Sequence, residues 1–296
     1  MERVYRIAGI VICLKTPFDF QEEERFREFA VRPEIQKKAD YTVVWEAAEI
    51  PEIYSGSYME LADKRYYRTE TEWVEECVEG AERKPFCWLH MERDGQKSKT
   101  GQLWLCRYRK QKEQDFFSTA VLFHNIGFPI MLGQKRTLLL HCSYIKIGRT
   151  GILFSGPSGV GKSTQASLWR RYAGAEILNG DRAAIRLSRG RWRAYGLPYA
   201  GSSEFFRNET LPVGAVICLG QSRENRIEKL RGAEAFRTVW RNLFQSYALE
   251  ALQESATDTL SAFLENVPVY RMDCRPDRSA VECLKNRLTE EGLLWI

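Results

Sequence analysis

Two rhythms of apolar and polar positions divide the chain. Over roughly the first 135 residues the apolar runs are short, and residues 7–14, 41–45, 65–68 and 103–108 have the length and the aromatic or β-branched bias of strands. Between them, residues 22–31 and 71–80 have helical composition, the second with Trp73, Val74, Cys77 and Val78 on one stripe. Residues 110–115 are polar and predict a turn or exposed loop. This half is expected to be a strand-rich α+β domain of residues 1–135, and its many aromatic residues a packed core rather than a ligand groove.

Beyond it, strand and helix patterns alternate. Residues 138–147, 152–154, 175–178, 192–195, 215–219 and 267–272 predict strands, the uniformly apolar 215–219 a buried one. Leu168, Trp169 and Tyr172 share a helical face that Gly174 ends. A second stripe runs through Ala235, Phe236, Val239, Trp240, Leu243, Phe244 and Tyr247, and residues 259–264 and 279–288 predict two more helices. The alternation predicts an α/β domain over residues 136–296. The apolar stretch 121–132, broken by Gly127 and Pro129, is expected to join the two domains.

With 296 residues the chain has room for two domains and a full core. The net charge of +5 is dispersed and interrupted by acidic runs such as Glu22 to Glu24, so no nucleic-acid footprint is expected. The eight cysteines form no Cys-x-x-Cys pair and sit largely in apolar runs, which predicts buried thiols and a reducing compartment. His90, His124 and His141 have no ligand spacing to a cysteine, which argues against structural zinc. Residues 7–14 are too short to span a membrane and lack a small-residue cleavage site, so no membrane partner and a cytoplasmic location are expected. The sequence leaves homo-oligomerisation open.

The chemistry concentrates in Gly-x-x-x-x-Gly-Lys-Ser, from Gly156 to Ser163, between a predicted strand and a predicted helix. Gly156, Gly159 and Gly161 permit backbone conformations closed to other residues, so successive N–H groups can cradle a phosphate at the positive end of a helix. Lys162 adds a cation for the outer phosphates and the Ser163 hydroxyl a ligand for Mg2+. The candidate nucleotide-binding set is Gly156, Pro157, Ser158, Gly159, Val160, Gly161, Lys162, Ser163 and Thr164. Asp181 follows the next short strand, where a carboxylate either holds magnesium or takes a proton, or is a turn residue; spacing leaves both open.

Several families carry such a loop. Residues 155–164 match guanylate kinases almost letter for letter, but the loop lies far from the N-terminus and no nucleoside-monophosphate segment follows; Leu-Ser-Gly-Gly-Gln, the mark of transporter ATPases, is absent. The whole stretch from His141-Cys-Ser-Tyr-Ile-Lys-Ile to Gly-Val-Gly-Lys-Ser163 instead resembles the HPr kinase/phosphorylase catalytic domain, in which a His-Gly pair precedes the loop at this distance and Asp-Asp-Arg follows its helix. Asn179-Gly-Asp-Arg182, residues 195–203 and residues 269–277 also resemble motifs of bacterial HPr kinase-like proteins found beside peptide-modification genes. Cys142, Gly180 and Thr164 depart from the regulatory enzymes, and no glycine-rich segment for engaging HPr is found.

The resemblance implies a nucleotide domain with a mixed sheet, shared with phosphoenolpyruvate carboxykinases, and places His141 near the transferred phosphate. A carboxykinase would need a second metal held by histidine and lysine, which three histidines do not favour. The expected protein is therefore a kinase using ATP and Mg2+ to phosphorylate a hydroxyl, with serine of a peptide or protein the favoured acceptor. Lys162, Asp181 and His141 are the expected catalytic residues, Ser163 and Asp181 the metal ligands. A regulatory ATPase without kinase activity and a small-metabolite kinase are the alternatives. Arg182, Arg207 and Arg271 are candidates for neutralising transferred charge, and the sequence does not choose among them.

Overall fold

The computed structural model describes residues 1–49, 54–57, 59–61, 63–92, 101–244 and 250–294. Its contacts fall into two units, Met1–Met131 and Leu132–Ile296, each with its own sheet.

The first unit begins with β1 (Glu2–Ile7) and β2 (Ile10–Lys15), followed by one turn of helix, α1 (Glu24–Arg27). Then come β3 (Tyr41–Ala48), β4 (Met59–Glu60), β5 (Lys64–Arg68), β6 (Glu72–Glu79), β7 (Lys84–Glu92), β8 (Gln102–Arg109) and α2 (Thr119–His124). Among the described residues the strands form one mixed sheet in the order β1-β2-β3-β8-β7-β6-β5-β4, in which β2–β3 and β3–β8 are parallel and the rest antiparallel. Three expectations change here. Residues 7–14 are not one strand: Ala8 (φ 52°) and Gly9 (φ 75°) both take positive φ, the requirement of a tight hairpin turn, and split the run between β1 and β2. Residues 71–80 form strand β6, not a helix, because both edges are taken by β5 and β7. Residues 22–31 yield only α1; residues 110–115 form a 3-10 turn, in keeping with the turn expected there.

Helix α3 (Phe128–Gln134) follows Gly127, whose φ is +59°, and the two units divide within it. The second unit then runs β9 (Leu138–Ile147), β10 (Thr150–Ser155), α4 (Lys162–Ala173), β11 (Glu176–Asn179), β12 (Arg182–Ser188), β13 (Arg191–Tyr195) and β14 (Thr210–Gln221). It ends with β15 (Arg226–Leu230), α5 (Gly232–Trp240), α6 (Glu250–Asn266), β16 (Val269–Cys274) and α7 (Arg278–Glu290). The stripe expected to run on from α5 ends at Trp240; Leu243 instead forms a β-bridge with Leu140, and Tyr247 lies outside the described residues.

Two long strands each serve two sets of partners. Residues 138–141 of β9 pair with β12, whereas 142–147 pair with β10. Residues 210–212 of β14 pair with β13, and from Val213 onward the strand runs parallel to β10 and then to β16. Alternate side chains of the parallel strands feed opposite cores. Ile152, Phe154, Ala215 and Ile217 pack with Trp169 of α4 and with Val281 and Leu284 of α7, while Leu153, Val216 and Cys218 pack with Val239 of α5 and with Leu260 and Phe263 of α6. Helices on both faces make the strands continuously apolar. The break in β9 falls between His141 and Cys142, beside the end of β10, and it is there that polar residues collect.

Candidate active site

The loop after β10 is built on its glycines. Gly156, Gly159 and Gly161 have φ of 145°, 77° and 114°, values that L side chains rarely adopt, and Gly161 is the N-cap of α4. The first turn of the twelve-residue α4 therefore opens onto the loop with its N–H groups free of helical partners. Lys162 begins the helix; its buried ammonium donates to the carbonyls of Gly156 (2.9 Å) and Pro157 (3.0 Å). Burial lowers the pKa of this ammonium below its ordinary value. Ser155 Oγ donates to the His141 carbonyl at 2.9 Å, tying the root of the loop to β9.

Asp181 is set by Asn179, a fully buried residue at the end of β11. Its Oδ1 accepts from the N–H groups of Asp181 and Arg182, both at 2.9 Å, while its Nδ2 donates to the carbonyls of Leu197 (3.0 Å) and Tyr199 (2.9 Å). One amide thus fixes both the turn that presents the carboxylate and the loop 196–203 facing it. Across that gap a Cβ at Gly201 would lie 3.0 Å from Asp181 Cγ, so the loop backbone packs directly on the carboxyl group.

The carboxylate has a guanidinium and an imidazole as neighbours. Arg182 Nε donates to Asp181 Oδ2 at 2.5 Å, and His141 Nε2 lies 3.8 Å from Asp181 Oδ1. Phe244 covers both partners: Arg182 stacks over its ring at 4.5 Å, and its centroid is 5.4 Å from that of His141. Burial first, and the Lys162 charge second, hold the His141 pKa below its ordinary value, with Asp181 opposing them. The imidazole is therefore neutral at pH 7 and able to accept a proton. Cys142 beside it is buried and its thiol pKa is pushed up by burial, so it is no nucleophile.

These groups line one cavity of about 640 Å³. Ser158, Gly159, Gly161, Lys162, Ser163 and Thr164 form one wall; His141, Ser143, Gly180 and Asp181 form another; residues 202–205 close it. Of the expected set, Gly156, Pro157 and Val160 do not line this space: the first two supply the carbonyls that hold Lys162, and Val160 packs on the core below. A second cavity, of about 580 Å³, shares Gly159, Gly161 and Thr164 and is also lined by Gln165, Gln221, Arg223 and Cys274. Among the three candidate arginines, Arg182 alone joins the Asp181 carboxylate. Arg271 is matched by Glu234 at 2.7 Å, and the exposed Arg207 does not line the cavity.

Among the described residues no group of three or more histidine, cysteine or acidic side chains is placed to hold a metal by itself. The donor set of one hydroxyl, Ser163, and one carboxylate, Asp181, fits Mg2+, which is commonly held by one or two protein oxygens together with substrate phosphates and water. Among the described residues no helix is long and apolar enough to cross a membrane.

No protein-family model matches the chain, and no curated protein matches its sequence. Among solved structures, the Hpr(Ser) kinase/phosphatase from Coxiella burnetii is similar over 52% of this chain and 99% of that one, at 14% identity and a TM-score of 0.33.

Proposed function

We propose that this chain is a kinase that uses ATP and Mg2+ to phosphorylate a hydroxyl, with serine of a peptide or protein as the acceptor. The observation that carries the proposal is a single cavity in which the glycine-rich start of α4, with Lys162 and Ser163, faces the paired Asp181 and His141. In this account the N–H groups of the loop and the Lys162 ammonium bind the phosphates, an anion being a stronger partner for Lys162 than two carbonyls. Ser163 would ligate the magnesium, which would neutralise charge on the phosphates, and leaves Asp181 for the acceptor. The second cavity, which shares Gly159, Gly161 and Thr164 of the loop, would take the nucleoside.

Asp181 orients the acceptor hydroxyl and takes its proton, with the neutral imidazole of His141 as the adjoining acceptor. Arg182, held by the carboxylate and by the Phe244 ring, keeps a positive charge at the edge of this group. The acceptor class is tested by offering γ-labelled ATP and magnesium to serine-, threonine- and tyrosine-containing peptides and a metabolite pool. Labelling of serine peptides, lost in Lys162→Ala and in Asp181→Asn, is the expected result. Labelling of a metabolite alone would make this a small-molecule kinase.

One observation favours a second reading, a regulatory ATPase. The single carboxylate of the turn is engaged by Arg182, and position 180 supplies no second acid. ATP hydrolysis that is unchanged in Asp181→Asn, with no acceptor labelled, would decide for it.

A further inference from the structure

The wall of the cavity opposite the glycine-rich loop carries a serine that the proposed mechanism does not use. Ser202 lines the cavity together with Lys162, Ser163, His141 and Asp181, and it is exposed. It follows Gly201, whose α-carbon packs on the Asp181 carboxyl group so closely that a Cβ there would lie 3.0 Å from both Cγ and Oδ1. Ser202 is the next residue along the chain, about 3.8 Å on from Cα to Cα, and it lines the same cavity as that carboxylate. The loop is held in this place by the two carbonyls on Asn179 Nδ2 and by the Ser203 N–H bonded to the Ala200 carbonyl at 2.9 Å.

The other hydroxyls of the cavity are accounted for. Ser143 donates to the Gly180 carbonyl at 3.2 Å, and Ser203 Oγ accepts from the Phe205 N–H at 3.1 Å. Ser158, Ser163, Thr164 and Ser167 belong to the loop and first turns of α4, on the side where phosphates bind. Ser202 has no hydrogen-bond partner among the described residues. It is thus a hydroxyl of the chain itself, unengaged, exposed to the cavity and next to the group proposed as proton acceptor.

We infer that Ser202 is a site of autophosphorylation in cis, the loop 196–203 presenting it where an acceptor serine would lie. The inference rests on the kinase reading. In the step, Ser202 Oγ forms a bond to the γ-phosphorus, the bond from that phosphorus to the β,γ-bridging oxygen breaks, ADP leaves with the bridging electron pair, and the hydroxyl proton passes to Asp181 or His141. The phosphoserine so formed sets a dianion against the Asp181 carboxylate, so the modification opposes entry of an external acceptor and limits the enzyme's own turnover.

The test incubates the full chain with ATP and magnesium and follows intact mass, ADP release and the modified position by peptide mapping. The expected result is one phosphoryl group per chain on Ser202, at a rate per molecule independent of protein concentration. It is absent in Lys162→Ala and Ser202→Ala and appears on the threonine in Ser202→Thr, which keeps the hydroxyl and guards against a folding defect in the alanine variant. Lys162-dependent ADP release with no phosphate on Ser202, or phosphate that survives Ser202→Ala, overturns the inference and leaves the kinase reading standing. Absence of both ADP and phosphoprotein, with no nucleotide bound, overturns both.

Discussion

At Gly180 a methyl group would stand 2.1 Å from Ser203 Oγ and 2.4 Å from Ser203 Cβ, so the side-chain space of this position is already filled. A larger side chain at position 180 would therefore meet Ser203, and Gly180→Asp is not expected to place a second acid beside Asp181 without a shift of the loop. Gly180→Ala should destabilise the protein by about 1–3 kcal/mol, the ordinary cost of overpacking, read by denaturant unfolding. His141 gives a sharper residue-level test because the chain has only three histidines to assign. Its folded pKa lies below the ordinary 6.5, so the unfolded chain takes up the proton first as pH falls. Its contribution to stability is accordingly full above about pH 6.5 and is lost as pH falls through 6.5 toward the folded value. NMR titration without magnesium should find the pKa higher in Lys162→Met, which removes a repelling charge, and lower in Asp181→Asn, which removes an attracting one. At this scale the turn from strand into helix was legible, because glycines at fixed spacing mark it, and Gly156, Gly159 and Gly161 take positive φ just before α4. Asn179 was not: its role depends on carbonyls some twenty residues away, and a buried asparagine leaves no pattern of its own.

Strand β6 shows how an element escapes its pattern. Its stripe of Trp73, Val74, Cys77 and Val78 has helical spacing, yet Glu75 and Glu76 between them are buried as well. Glu76 accepts from Trp88 Nε1 at 2.9 Å, Tyr67 OH at 3.0 Å and Arg65 Nη1 at 3.2 Å, and Glu75 accepts from Lys64. Partners on β5 and β7 satisfy the charges, so the polar residues sit inside a sheet. Glu76→Ala strands these donors and should cost about 3 kcal/mol, measured by chemical denaturation. The end of the stripe after α5 was hidden for a related reason. Leu243 and Phe244 continue the helical spacing, but Leu243 bridges to Leu140 and the Phe244 N–H bonds to the Leu139 carbonyl at 2.7 Å, a pairing with β9 that local sequence does not encode. By contrast the parallel strands and α7 were legible, since uniform apolar runs and a helical stripe flanked by a cap report burial directly; Asp277 Oδ1 accepts from the Ser279 N–H at 3.0 Å.

Over the second unit as a whole, the chain places polar chemistry where pairing changes. The break in β9 between β12 and β10, the end of β11 and the glycine-rich loop meet at one cavity, while helices cover both faces of the parallel strands. An α/β unit was legible from alternation; the division of β9 and β14 between two sets of partners was not, because pairing with strands distant along the chain leaves no mark in a strand's own pattern. If the cavity is a nucleotide site, magnesium and ATP at a hundredfold excess over Kd should raise unfolding free energy by about 2.7 kcal/mol. Calorimetry of Lys162→Ala should show that gain lost. The measurement that tests the central claim most directly is a single turnover with γ-labelled ATP in wild type and Asp181→Asn, with nucleotide affinity measured alongside. The account predicts label in a phosphoester and a fall in its rate of about 10²- to 10⁴-fold in Asp181→Asn, while ATP still binds. Label released only as inorganic phosphate, at a rate Asp181→Asn does not change, would contradict it.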